Sequence, residues 1–199
     1  MALLYLHMEQ HKVVIITAPS GAGKTTIVKH LLQQYSDVLS FSISAATRSA
    51  RHTEQHGVDY YFMTEQTFTQ KINNNEFVEW EMVYEGKYYG TLKAELERIW
   101  AMGKTPVLDI DVKGAIHVQQ QYKNNSLSIF IQPPSVDALT QRLQSRGTET
   151  EASLKARVDK ASYELTFKNH FDTIIVNDIL ENAFAKAATV VLDFVKLKA

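Results

Sequence analysis

Residues 12–35 read KVVIITAPSGAGKTTIVKHLLQQY, and no other stretch leaves the chain so few folding options. The run 12–18 is short, apolar and rich in β-branched residues, and it stops at Pro19, which predicts a strand buried on both faces. From Lys24 onward, Ile27, Leu31 and Leu32 recur with helical spacing. A buried strand, a glycine-bearing turn and a helix in immediate succession form the first half of a strand–helix–strand unit. That unit builds α/β folds with a parallel sheet.

The turn has chemistry of its own. Gly21 and Gly23 carry no Cβ, so the backbone N–H groups around them can turn inward onto an anion. The helix that starts here directs its positive end to the same point. Residues 18–25 match the phosphate-loop pattern G-x-x-x-x-G-K-[ST] everywhere except at Ala18. In that pattern Lys24 supplies charge for the β- and γ-phosphates, and the Thr25 hydroxyl ligates Mg2+. The Ala18 methyl need not intrude, because the phosphates are cradled further along. Pro19, Ser20, Gly21, Ala22, Gly23, Lys24, Thr25 and Thr26 are therefore the predicted ATP-binding residues, with Lys24 also catalytic.

Further buried strands are predicted at 107–111, 127–132 and 173–177, and helices at 92–102, 113–122, 135–145, 151–169 and 180–196. In the last helix Phe184, Ala187, Ala188, Val191 and Val195 share one apolar face. The stretch 44–90 breaks the alternation: it is rich in Tyr, Phe and Thr, lacks helical periodicity outside 65–75, and reads as a mostly β insertion. A second irregular piece, 145–153, separates two helices. A core with two excursions is what an enzyme that closes over its substrates needs.

Composition bounds the possibilities. With 199 residues, 45% hydrophobic and 22% charged, the chain suits one substantial folded domain. A net charge of −1 provides no global field for nucleic acid or an acidic membrane, so any anion site must be local. Cysteine is absent, which excludes disulfides and cysteine metal or redox sites and fits a reducing compartment. The first ten residues lack the charged start and cleavage site of a secretory leader, and no run approaches the ~20 apolar residues of a membrane span. The expectation is a cytoplasmic protein with no membrane or nucleic-acid partner, a monomer or homodimer, with residues 1–7 a loosely attached extension. The seven histidines show no metal-ligand spacing, and Trp80 and Trp100 read as packing residues.

A second cluster of polar residues lies in SISAATRSARHTEQHGVDYYF, residues 42–62. Arg48, Arg51 and Tyr60 together suit a phosphate monoester, since guanidinium groups bind its oxygens bidentately and a phenol adds a directional donor. Glu54 is placed to orient Arg51. Glu79 can accept from two adjacent N–H groups, a pair that guanine presents and adenine does not. In VLDID, Asp109 and Asp111 are expected on one side of a strand by the period of two, at the carboxyl edge where ligands bind. Asp109 is the better candidate for a water-mediated Mg2+ shell and Asp111 for the base. Arg142 and Arg146 share a helix face, with Arg157 on the next helix; taken alone, the three read as surface charges.

The order of these pieces resembles the guanylate kinase family over about residues 12–195. The matching strings are PSGAGK, S-x-x-TR-x-x-R-x-x-E-x-x-GVDY-x-F, NNEFVEW, YYGT, LDID, RL-x-x-RGTET and VND. The resemblance implies a P-loop core of parallel sheet flanked by helices (12–43, 92–134 and 170–199), a mostly β GMP-binding region (44–91) and a helical lid (135–169). It implies Mg2+-dependent transfer of phosphate from ATP to GMP, giving GDP in purine nucleotide metabolism. Ser44 and Glu79 would then contact guanine with help from Asp111. Arg48, Arg51, Tyr60 and Tyr89 would hold the GMP phosphate, with Glu54, Gly90 and Thr91 alongside. Arg142, Arg146 and Arg157 become lid arginines acting on the transferred group, Thr25 and Asp109 serve the metal, and Asn177 borders the adenine.

The departures are Ala18, and SARHTEQH where the family often carries proline and glycine, a change in loop stiffness that leaves the ligand set intact. Two other readings compete. A non-catalytic scaffold of the same family has no need of Lys24 or the lid arginines, and a relative that phosphorylates a ribose bisphosphate has no need of Ser44 and Glu79. All of these residues are present.

Overall fold

A computed structural model describes residues 11–145 and 151–196 of the chain. Strand β1 (Val13–Thr17) leads through the glycine turn into helix α1 (Lys24–Gln34), followed by β2 (Leu39–Phe41). Then come β3 (Ala45–Ala46), β4 (Tyr61–Phe62), α2 (Glu65–Asn73), β5 (Phe77–Tyr84), β6 (Lys87–Leu92) and α3 (Lys93–Ala101). The remainder runs β7 (Thr105–Asp109), α4 (Val112–Tyr122), β8 (Ser126–Gln132), α5 (Val136–Gln144), α6 (Glu151–Leu165), β9 (Thr173–Val176) and α7 (Leu180–Lys196).

Five strands form a parallel sheet in the order β2-β7-β1-β8-β9. The central strand is buried along its whole length, as its unbroken apolar run requires. Alternate residues serve opposite faces: Val14 and Ile16 pack with Ile27, Leu31, Ala187 and Val191 from α1 and α7. Val13 and Ile15 pack with Leu96, Val112, Ala115 and Val118 from α3 and α4. The apolar face foreseen on α7 is the one turned inward, with Ala183, Ala187 and Val191 buried.

The insertion between β2 and β7 is a second sheet of four strands in the order β4-β3-β6-β5, backed by Phe68 of α2 against Phe77. Helix α2 begins at Thr64, whose hydroxyl accepts from the Thr67 N–H, and ends before Asn75, which takes a positive φ of 56°. This sheet is mostly β as expected, although β6 runs on to Leu92.

Two boundaries differ from expectation. The strand foreseen at 107–111 starts earlier and ends at Asp109, because Asp111 leaves the sheet to cap α4. Its Oδ1 accepts from the N–H groups of Lys113 and Gly114, both at 2.9 Å. The helix foreseen at 151–169 ends at Leu165, where backbone bonds tighten to Thr166→Tyr163 and Phe167→Glu164 before Phe171 turns into the core.

Candidate functional site

The phosphate loop, the β insertion and α6 enclose one cleft of about 1000 Å3. Its floor is the loop at the carboxyl end of β1, the position at which open parallel sheets receive ligands. Gly21 and Gly23 adopt φ of 92° and 97°, a left-handed conformation that residues with a Cβ rarely hold. Pro19, Ser20, Gly21, Gly23, Lys24, Thr25 and Thr26 line the cleft together with Ala18. The Ala18 methyl is nevertheless packed in the core, so the departure from glycine is absorbed behind the loop.

Lys24 is held at the cleft by an ion pair to Asp109, and its Nζ also donates to the Ile110 carbonyl at 3.3 Å. The ammonium thus stands where β1, α1 and β7 converge. Ala22 and Asn177 do not line the cleft. They lie buried behind the loop, where Asn177 Nδ2 donates to the Ala22 carbonyl at 2.8 Å. A Cβ on Gly23 would overlap that amide. Asn177 therefore supports the loop in this structure.

On the opposite wall the insertion presents Ser44, Arg48, Arg51, Glu54, Tyr60, Glu79, Tyr89 and Gly90. The Arg48 guanidinium makes a bidentate pair with Glu54, at 2.5 and 2.7 Å, and lies 4.8 Å from the centre of the Tyr60 ring. This corrects the role expected for Glu54: it orients the side chain of Arg48, and it meets Arg51 only through that residue's backbone N–H, at 2.8 Å. Arg51's own guanidinium reaches the cleft from an exposed position. The hydrogen bonds from Arg48 hold the Glu54 carboxyl well below the usual range, at about 2. Burial pushes the Tyr60 phenol up, so it remains a donor at neutral pH.

Glu79 is the most unusual group in the cleft. Only 6% exposed, it accepts from the Thr91 hydroxyl at 2.6 Å, and burial pushes its carboxyl up to about 7, with Asp111 and Glu81 adding to the rise. Thr91 sits fully buried behind it, away from the cleft. A Cβ on Gly114 would come within 2.6 Å of Glu79 Oε2, so the glycine at the start of α4 makes room for the carboxylate. Asp109 and Asp111 both line the cleft, although the strand end brings one and the helix cap the other.

Of the three arginines expected on a lid, Arg157 lines the cleft and donates to Ser20 Oγ at 3.1 Å, joining α6 to the phosphate loop. Arg142 points elsewhere: its Nη2 donates to the Asn177 carbonyl at 2.9 Å. Arg146 lies outside the described residues. Sequence reasoning missed Lys160 and Glu164, which line the cleft beside Arg157. The signal was present in their spacing, since positions three and seven beyond Arg157 fall on its helix face. Glu164 is buried, which pushes its carboxyl up against the opposing influence of Lys160.

Among the described residues no cluster of three or more His, Asp or Glu side chains could hold a metal ion by itself. Thr25 and Asp109, the residues expected to serve a magnesium ion, both line the cleft. No helix of the described residues is long and apolar enough to cross a membrane.

Comparison with known proteins agrees with this geometry. The family model for guanylate kinase matches residues 10–193. The chain is 48% identical over 183 residues to a guanylate kinase of Bacteroides fragilis, covering 92% of this chain and 89% of that one. It is 47% identical over 184 residues to one of Chlorobium chlorochromatii, covering 92% and 96%. The crystal structure of guanylate kinase from Anaplasma phagocytophilum superposes with a TM-score of 0.72 at 26% identity, covering 94% of this chain and 87% of that one. Loop, insertion and the cleft between them all fall inside the matched span, and the chain belongs to the guanylate kinase family.

Proposed function

We infer that this chain catalyses the transfer of the γ-phosphoryl group of ATP to GMP, giving ADP and GDP. The observation that carries the reading is one cleft with a phosphate loop on one wall and, on the other, an arginine–tyrosine cluster beside a buried carboxylate. The core (12–43, 92–134 and 170–199) contributes the loop, region 44–91 the acceptor site, and 135–169 the lid. The work belongs to purine nucleotide metabolism in the cytoplasm.

ATP lies with its phosphates on the loop N–H groups and the Lys24 ammonium. Thr25 and, by way of water, Asp109 would hold Mg2+, which would supply positive charge to the phosphate oxygens. Arg48, Arg51, Tyr60 and Tyr89 hold the acceptor phosphate, and the Arg48–Glu54 pair fixes one guanidinium before substrate arrives, which limits the ordering cost of binding. Ser44, Glu79 and Asp111 read the base. In phosphoryl transfer the protein contributes positioning and positive charge more than covalent chemistry. Arg157 already reaches Ser20, so α6 has a path to bring its cations onto the transferred group. Arg142 and Arg146 complete that set on the closed lid.

A coupled assay with ATP and each nucleoside monophosphate in turn tests the reading. GMP should be strongly preferred, since a carboxylate that meets two guanine donors meets neither in AMP. Equal turnover of AMP would overturn the base assignment, and no turnover of any monophosphate would favour the scaffold.

A further inference from the structure

Outside the cleft, α3 holds a carboxylate that the mechanism above leaves unused. Glu95 is 2% exposed, and its two oxygens accept four hydrogen bonds from three places in the chain. Oε1 accepts from the Ile43 N–H at 3.0 Å and from Arg98 Nη2 at 2.8 Å. Oε2 accepts from the Tyr61 hydroxyl at 2.9 Å and from Arg98 Nε at 2.8 Å. The bidentate arginine offsets the cost of burying the charge, which leaves the other two bonds free to hold the Ile43 backbone and the Tyr61 side chain.

Those two bonds end next to the acceptor site. Ile43 is the last residue of the core before the insertion, and the next residue, Ser44, lines the cleft. Tyr61 directly follows Tyr60, another cleft residue. Ser44 and Tyr61 are themselves joined, the Tyr61 N–H donating to the Ser44 carbonyl at 2.9 Å. A single carboxylate on the core side thus holds the backbone just before Ser44 and the side-chain tip of Tyr61, on either side of the Ser44–Tyr61 backbone bond that carries one base-side and one phosphate-side contact. Burial keeps the Tyr61 phenol protonated, as its donor role requires.

We propose that Glu95 is a positioning residue for the acceptor nucleotide: from α3 it holds Ser44 and Tyr60 in register, so its loss weakens the acceptor site and spares the ATP site. The proposal deepens the GMP reading and rests on it. Because Ser44 and Tyr60 contact an acceptor that is already bound, their misplacement removes binding common to ground and transition states and raises KM more than it lowers kcat.

The test is steady-state kinetics with GMP and ATP varied separately, on wild type, Glu95→Ala, Glu95→Gln and Tyr61→Phe, with a thermal melt of each. Turnover of GMP by the wild type is measured first and decides the underlying reading on its own. Glu95→Ala should then raise KM for GMP about tenfold, hold kcat within about threefold and leave KM for ATP unchanged. Glu95→Gln should recover part of the loss, since its amide oxygen can accept from Ile43 and its NH2 can donate to the Tyr61 oxygen, although that NH2 cannot accept from Arg98 Nε. A control, Asp172→Asn, loosens the sheet at Ser128 and should lower the melting temperature without moving either KM. KM for GMP within twofold of wild type in Glu95→Ala, or KM for ATP rising in step with it, would overturn the proposal. If Glu95→Ala does not fold, Tyr61→Phe is judged by the same two criteria, with a rise of about threefold expected for the single lost bond.

Discussion

Asn177 holds the phosphate loop from behind: its Nδ2 donates to the Ala22 carbonyl, and it fills the space a Cβ on Gly23 would need. Its own carbonyl is taken by Arg142, so the root of the lid, the end of β9 and the loop form one connected set. Asn177→Ala leaves a buried carbonyl without its donor and should cost about 1–3 kcal/mol of stability. It should raise KM for ATP while KM for GMP stays put. Gly23→Ala faces both the overlap and a φ of 97°, and should nearly abolish turnover. Calorimetry and separate substrate titrations check both; normal ATP use by Gly23→Ala would contradict the packing described.

Ala18 and Lys24 should behave very differently when changed. Ala18→Gly touches a methyl sunk in the core, and ATP turnover should stay within about twofold of wild type. Lys24→Ala removes the ammonium from the phosphate loop and leaves Asp109 without its ion pair; if that charge meets the transferred phosphate, kcat should fall about a thousandfold. Substantial activity in Lys24→Ala would remove this loop from the mechanism.

If the Glu79 carboxyl, at about 7, meets the acceptor base, acceptor binding should depend on pH. Only the ionised form accepts both guanine N–H groups, so KM for GMP should fall as pH rises from 6 to 8. Stability runs the other way. The folded state holds this proton more tightly than the unfolded chain, so the group's stabilising contribution is complete below the ordinary glutamate range and is lost as pH rises through about 7. Glu79→Gln should flatten the pH dependence of KM for GMP and reduce the drop in melting temperature between pH 6 and 8. A wild-type KM for GMP that is constant across that interval would show that the carboxyl is already ionised.

Arg157, proposed as a lid arginine, donates to Ser20 of the phosphate loop. Arg157→Ala should lower kcat by about three powers of ten if it meets the transferred group as an arginine finger does. The GMP dissociation constant should hardly change, because the acceptor is held from the insertion. Single-turnover rates and GMP titration by calorimetry separate the two effects. Near-normal kcat would return Arg157 to the status of a surface charge.

What could be read in the sequence follows how local each signal was. The β1–loop–α1 unit was legible to within a residue, since a β-branched run, two glycines and a helical period lie in one short window. Strands β3 and β4, two residues each, carry no period at all and exist only because β6 and each other supply hydrogen bonds. Glu54 was placed beside the wrong arginine because the bend that brings it to Arg48 is set by the loop's tertiary path. The capping role of Asp111 outweighed the strand period there. The contacts of Asn177 and Glu95 were not legible for one reason: their partners lie far away in the chain, Ala22 for the first and Ile43 for the second.

The central strand has one more consequence, for how the chain is assembled on the ribosome. β1 is made early, yet its neighbours in the sheet are β7 and β8, with Val14 opposite Val107 and Val13 opposite Ser126. β2 likewise waits for β7, with Leu39 opposite Thr105. Until those later strands emerge, VVIIT has no place to put its backbone hydrogen bonds, and it is the kind of uncharged β-branched segment that joins strands from other chains. The whole second sheet is synthesised during that interval. The fold that gives the phosphate loop its rigid floor therefore leaves the nascent chain dependent on protection until its second half has been made.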